Sequence, residues 1–210
     1  MPHAYVAADA WKFARTWRPH RIPLYCCATA DGAIVLDVET LRYFGVRRDA
    51  LEQLKQDREV IETVAPPLVD TLAAQASSVP AASVRKTHVY RFLAAYCYVS
   101  AALARSRLEP TIRRFQRHNV APAKSLSFAD HHVLVLAFTK LRPWFYTAAG
   151  QCLRDSLMLT EFLQRCGAKP TLVLGVKTRP FAAHAWVQVG PYVANGTVEN
   201  VATYTPILAI

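Results

Sequence analysis

Between residues 23 and 46 the apolar positions come in short bursts separated by turn-forming residues. LYCCA at Leu24–Ala28, AIVLDV at Ala33–Val38 and RYFGV at Arg42–Val46 have the length and composition of strands. Asp31-Gly32 supplies a two-residue hairpin turn between the first two, so three antiparallel strands are predicted. The spacing then changes. RRDALEQLKQ predicts a short helix with Asp49 as N-cap ahead of Leu51 and Leu54. PPLVDTLAAQA predicts a second, with Pro66 or Pro67 in its first turn. Residues 76–83, ASSVPAAS, carry small and polar side chains, and the domain boundary is placed there, with a first domain over 1–80 and a second over 81–210.

Beyond that boundary the apolar positions take a helical period. VRKTHVYRFLAAYCYVSAALARSRL contains no Gly or Pro and shows one apolar side in Val89, Phe92, Leu93, Tyr96, Val99 and Ala102. PTIRRFQRH and FADHHVLVLAFTKL predict two further helices, the second with Asp130 at an early position that suits the helix dipole. QCLRDSLMLTEFLQRCG follows, apolar around most of its girth, with Arg165 in its last turn and Gly167 as its stop, so a core helix is expected. TLVLGVK and AHAWVQV then read as strands, and Gly190-Pro191 turns the chain into YVAN. A sheet with helices, a helical stretch, then a helix with more strands is an α+β pattern.

Composition is globular: 52% of the 210 residues are hydrophobic and 19% charged. That leaves no case for a long disordered tail. The formal charge of +10 raises nucleic acid as a partner. The basic residues are, however, spread along predicted helices (Arg91, Arg105, Arg113, Arg117) with no zinc-finger or RNP-type motif beside them. A solvated basic surface is the reading, and no nucleic-acid partner is expected. No run approaches the roughly 20 apolar residues a membrane span needs. Five cysteines without framework spacing, behind an N-terminus lacking a signal-peptide core, point to a reduced, cytoplasmic protein. No metal is expected, because CxxC and HExxH are absent and His131-His132, adjacent on a helix, diverge.

Candidate chemistry gathers at the end of the chain. Cys152 opens the core helix, where the dipole favours a thiolate, and His184 lies in the second of the two following strands. A buried cysteine is more often inert packing, and a lone strand histidine more often structural. The combination is nonetheless what thiol acyl transfer requires: a thiol at a helix head, an imidazole base and a third polar group to orient the ring. Cys166 sits at the opposite helix end, and Cys26, Cys27 and Cys97 have no activating feature beside them. Asn195, Thr197 and Glu199 on the returning segment compete for the third place, since one loop residue inverts strand parity.

The run CLRDSLMLTEFLQRCGAKPTLVLGVKTRPFAAHAWVQVG resembles the C-terminal part of the lasso-peptide B proteins, leader peptidases of the transglutaminase-like cysteine protease superfamily. The Cys-Leu helix start, the LVLGV strand, Pro180-Phe181 and the HAWV of 184–187 carry the likeness. YCCATADGAIVLDVETLRYF is similar to the winged-helix-like peptide-recognition domain that some members carry in front. The resemblance implies a papain-like thiol protease with Cys152 as nucleophile and His184 as general base. It also implies a recognition domain that takes the precursor's leader peptide as an added strand, using Arg42, Tyr43, Phe44 and Val46 of the third strand. An ATP-dependent, asparagine-synthetase-like lasso cyclase is the implied protein partner, and no cofactor is implied. The family's aspartate after the histidine falls on Gly196, so Asn195 is taken as the third residue, with Glu199 as the alternative. Two rivals stay open: an acyltransferase or transglutaminase on the same fold, and a non-catalytic leader-binding module.

Overall fold

The computed structural model describes residues 23–29, 32–72, 83–105, 108–120 and 126–210. In chain order these form strands β1 (Leu24–Thr29), β2 (Gly32–Asp37) and β3 (Arg42–Val46), helix α1 (Arg48–Asp57), and strands β4 (Val60–Glu62) and β5 (Asp70–Thr71). Helices α2 (Lys86–Ala104), α3 (Leu108–Val120) and α4 (Phe128–Leu141) follow, then a 3-10 turn at Arg142–Trp144 and helix α5 (Cys152–Arg165). Strands β6 (Thr171–Thr178), β7 (Phe181–Val189) and β8 (Tyr192–Val193), the short helix α6 (Val198–Val201) and strand β9 (Thr205–Ala209) complete the described chain. The class is α+β.

The contacts divide the chain into two compact units. One comprises the described residues up to Ala65 with Leu174–Ala183 and Tyr204–Ala209; the other comprises Pro66–Val173, His184–Thr203 and Ile210. The first holds a four-stranded sheet in the order β3-β2-β1-β4. The three predicted strands pair antiparallel, Tyr25 opposite Leu36 and Leu36 opposite Tyr43. β4 adds a parallel edge, Leu24 opposite Val60, which the sequence pattern does not announce in so short a segment. Both faces of this sheet are covered, which is why its strands read as continuous apolar runs. Leu51 and Leu54 of α1 pack with Val46 and Val60 on the Leu24, Cys26 and Val35 face. On the opposite parity Tyr43 meets Phe181 ring to ring at 5.9 Å. The Asp31-Gly32 turn lies partly outside the described residues.

Three local expectations need correction. Asp49 is not the N-cap of α1; Arg47 holds that place and Asp49 sits in the first turn. No helix begins at Pro66 or Pro67. Residues 64–69 have no regular structure, and β5 follows as a strand pairing parallel with β8, because Val69 and Leu72 donate backbone hydrogen bonds to Pro191 and Val193 (2.9 Å each). Tertiary pairing overrides the Pro-initiated helix pattern there, and residues 73–76 of that pattern lie outside the described residues. The face of α2 also differs: Phe92, Ala95 and Val99 are fully buried with His88, whereas Leu93 stays 36% exposed. Most of the expected boundary stretch 76–83 is outside the described residues.

In the second unit α5 is the core. Ten consecutive residues, Asp155–Gln164, are buried, because neighbours α2, α3 and α4 all pack on this helix. Phe162 lies among Phe92, Phe138 and His88 with ring centroids 5.8–6.4 Å apart. Buried polar groups on α5 are met by partners from other helices: Glu161 by Arg114 at 2.8 Å and Gln164 by the Phe115 carbonyl at 3.3 Å. Helix α4 begins with a capping box in which the Ser127 hydroxyl accepts from the Asp130 N–H and the Asp130 carboxylate accepts from the Ser127 N–H. His131 is half-buried and His132 buried, in keeping with the divergence of adjacent positions on a helix. A second sheet has the strand order β5-β8-β7-β6-β9.

Candidate active site

Cys152 is the first residue of α5, following Gln151 at the N-cap. Its place in the first turn leaves the local N–H groups without intrahelical acceptors, a concentration of positive dipole next to the sulfur. The side chain is half-buried. Two residues on, the Arg154 guanidinium lies over the rings of Tyr146 and Tyr96, 5.0 and 5.6 Å from their centroids, and donates to Ser100 at 3.3 Å. This holds the helix head against α2.

The other cysteines are poorer nucleophiles. Burial raises the thiol pKa of Cys26, helped by the Glu62 charge, and pushes Cys27 up to about 11, with Cys26 adding to the effect. Burial raises Cys166 as well, against a hydrogen bond and charge from Arg91. Cys97 is exposed on α2. Cys152 alone combines partial access with a helix head.

His184 lies on β7, half-buried, its ring stacked on Trp186 at 6.2 Å with 21° between planes. Positions 184, 186 and 188 share one face of the strand. Trp186, 1% exposed, donates through its indole N–H to Gln188 at 3.2 Å, and Gln188 donates to the Pro67 carbonyl at 3.0 Å. The histidine thus sits at the end of an immobilised ladder of side chains.

Asn195 lies just beyond the β7–β8 hairpin. Where the chain leaves the sheet after Val193, its side-chain oxygen stands in for a strand carbonyl and accepts from the Val187 N–H at 2.7 Å. Its amide nitrogen donates to Asp155 at 3.2 Å and to the Ser156 hydroxyl at 3.0 Å. Of the sequence-derived candidates, it is the one with hydrogen bonds to both the Cys152 helix and the His184 strand. Thr197 caps α6, accepting from the Asn200 N–H at 3.3 Å, and Glu199 is exposed in that helix's first turn. Gly196 has φ +129°, a conformation that side chains rarely adopt, so an aspartate at this position would be strained.

Sequence reasoning missed the group on which Asn195 closes. Asp155, 4% exposed, accepts from Arg142 at 3.2 Å through both oxygens, from Tyr146 at 3.1 Å and from Asn195. Burial and the Asp155 charge push the Tyr146 hydroxyl far above the ordinary phenol range. The available signal was a carboxylate one turn after Cys152 on a helix that is apolar around most of its girth. Of the proposed leader-binding residues, Tyr43 and Phe44 have buried side chains, Arg42 is exposed and Val46 half-buried; all lie on β3, an edge strand of its sheet.

Cys152 heads a buried helix and His184 lies on a strand of the same unit; a thiol and an imidazole are the groups that thiol-dependent acyl transfer uses. Residues 87–209, more than half of the chain, match the Transglutaminase-like superfamily. The chain belongs to that superfamily, which includes both cysteine peptidases and transglutaminases. No curated protein and no solved structure matches it. Among the described residues no helix is long and apolar enough to cross a membrane.

Proposed function

We propose that the protein is a cytoplasmic cysteine peptidase that binds the leader of a ribosomally made lasso-peptide precursor and removes it. The freed core peptide then goes to an ATP-dependent, asparagine-synthetase-like cyclase. The observation that carries the chemistry is Cys152 at the head of α5 with His184 on β7, inside the superfamily match. The leader assignment rests on the likeness of CLRDSLMLTEFLQRCG and HAWV to the lasso-peptide B proteins. In the reaction the Cys152 thiolate attacks the scissile carbonyl and His184 delivers its proton to the leaving amine. Water, deprotonated by His184, then hydrolyses the thioester. The Cys152 backbone N–H, at the start of the helix, is placed to hold the oxyanion.

Leader recognition is assigned to residues 1–80 and cleavage to 81–210. The leader adds as a strand beside β3. Because the side chains of Tyr43 and Phe44 are buried, the backbone of this strand makes the pairing, and Arg42 and Val46 flank it. Superfamily membership also fits transfer of the acyl group to an amine, so the test must separate the two outcomes. Precursor is incubated with wild type, Cys152→Ala, His184→Ala and Asn195→Ala, with and without an added primary amine, and products are weighed by mass spectrometry beside leader-binding affinity. Cleavage lost in Cys152→Ala and His184→Ala with binding retained supports the peptidase. An amide product supports the acyltransferase, and unchanged cleavage by Cys152→Ala refutes both.

A further inference from the structure

Buried Asp155 and half-buried Asn195 form a hydrogen-bonded hub with no place in the chemical steps above. Asp155 lies one helical turn after Cys152. It gathers Arg142 and Tyr146 from the segment that leads into α5, and Asn195 from the loop beyond β8. Asn195 then grips Val187, three residues after His184. The Val187 carbonyl is held too, accepting from the Ala194 N–H at 2.8 Å. The head of the cysteine helix and the histidine strand are therefore joined through one carboxamide.

We propose that Asp155 and Asn195 are positioning residues for the Cys152–His184 pair, a clasp that sets the register of α5 against β7. The inference rests on reading that pair as nucleophile and base. Its physical ground is selectivity of placement. Proton transfer between thiol and imidazole requires heavy atoms within about 2.6–3.2 Å, and a misplacement of about 1 Å can cost about a hundredfold in rate. Stability alone is a weak reason for this arrangement, since a buried ion pair contributes little over well-packed apolar residues of the same volume. Asp155 nonetheless stands first in a run of ten buried residues, and its carboxylate faces partners from both flanking segments. Neither residue touches the reacting atoms in this account; each acts through the element it holds.

The test uses the full chain and needs no substrate. Alkylation of Cys152 by iodoacetamide at neutral pH is followed by peptide mass spectrometry and normalised to the exposed Cys97, in wild type, Asn195→Ala and the near-isosteric Asp155→Asn, with folding checked by circular dichroism. The expected result is a Cys152-to-Cys97 rate ratio lowered at least tenfold in Asn195→Ala and several-fold in Asp155→Asn. Leader cleavage, where measurable, should lose kcat with KM unchanged. Asp155→Asn keeps the volume and the acceptor for Tyr146, so it answers the question if Asn195→Ala does not fold. A folded variant of either kind that alkylates at the wild-type ratio overturns the proposal. Absence of leader cleavage by wild type would remove the proposed substrate but leave this reactivity ratio as the test of the clasp.

Discussion

The cysteine ranking yields a prediction that can be checked before any substrate is known. Only a thiolate alkylates, and Cys27 is pushed from an ordinary value of 9.0 to about 11, which leaves it about a hundredfold less thiolate at neutral pH than an unperturbed thiol. It is also buried, so its reaction with iodoacetamide should lag Cys97 by two decades or more, and Cys26 and Cys166 should lag for the same reason. Cys152, half-buried at a helix head, should react fastest of the five. The decisive variant is His184→Ala. If His184 draws the proton from Cys152, its loss slows Cys152 about tenfold or more, in line with what a positioned base contributes. Cys97, exposed on α2, serves as the internal control and should keep its rate. The assay is timed alkylation of the folded protein, quench, digestion and quantitation of each cysteine peptide. Equal rates for Cys152 in wild type and His184→Ala would refute the dyad. Equal slowing of Cys97 would show that the variant had merely altered the fold.

Further predictions concern the scaffold. Phe92 is fully buried against Phe138, Phe145 and Phe162, with centroids 5.1–6.3 Å apart, so Phe92→Ala should cost about 3–5 kcal/mol in urea unfolding. Leu93→Ala next door should cost under about 1 kcal/mol because Leu93 stays 36% exposed and outside the buried face; similar costs would contradict the observed face of α2. Burial, with the Arg85 and Arg91 charges, lowers the pKa of His88 below its ordinary value. The unfolded chain then takes up the proton first as pH drops, so the stability linked to neutral His88 is complete above about pH 6.5 and lost as pH falls through the folded value. Urea midpoints between pH 8 and 5 should drop more for wild type than for His88→Asn. Gly196→Asp should destabilise by about 1–3 kcal/mol, because φ there is +129°.

Much of the molecule is legible in its residue pattern because local periodicity reflects burial. β1 to β3 fall within a residue or so of LYCCA, AIVLDV and RYFGV, and α4 and α5 follow FADHHVLVLAFTKL and CLRDSLMLTEFLQR. The position of Cys152 at a helix head is likewise local, fixed by where the apolar period starts. Less legible is whatever depends on a partner distant in the chain. PPLVDT carries helix-start chemistry, yet it ends in a strand because β8, more than a hundred residues later, supplies its hydrogen bonds. Leu93 and Phe92 are equally apolar, and only the placement of Phe138, Phe145 and Phe162 decides which is core.

The site divides along the same line. Residue type and spacing single out the thiol and the imidazole, since their chemistry is intrinsic to the side chains and their placement follows from a helix start and a strand. Asn195 emerges from sequence only as one of three candidates on a returning segment. Asp155, Arg142 and Tyr146 do not emerge at all, since a carboxylate in a helix carries no local mark of what will pair with it. Tertiary structure decided those pairings. Desolvation inside the second unit makes an unpartnered charge costly, so the fold brings a guanidinium and a phenol from one segment and a carboxamide from another to one carboxylate.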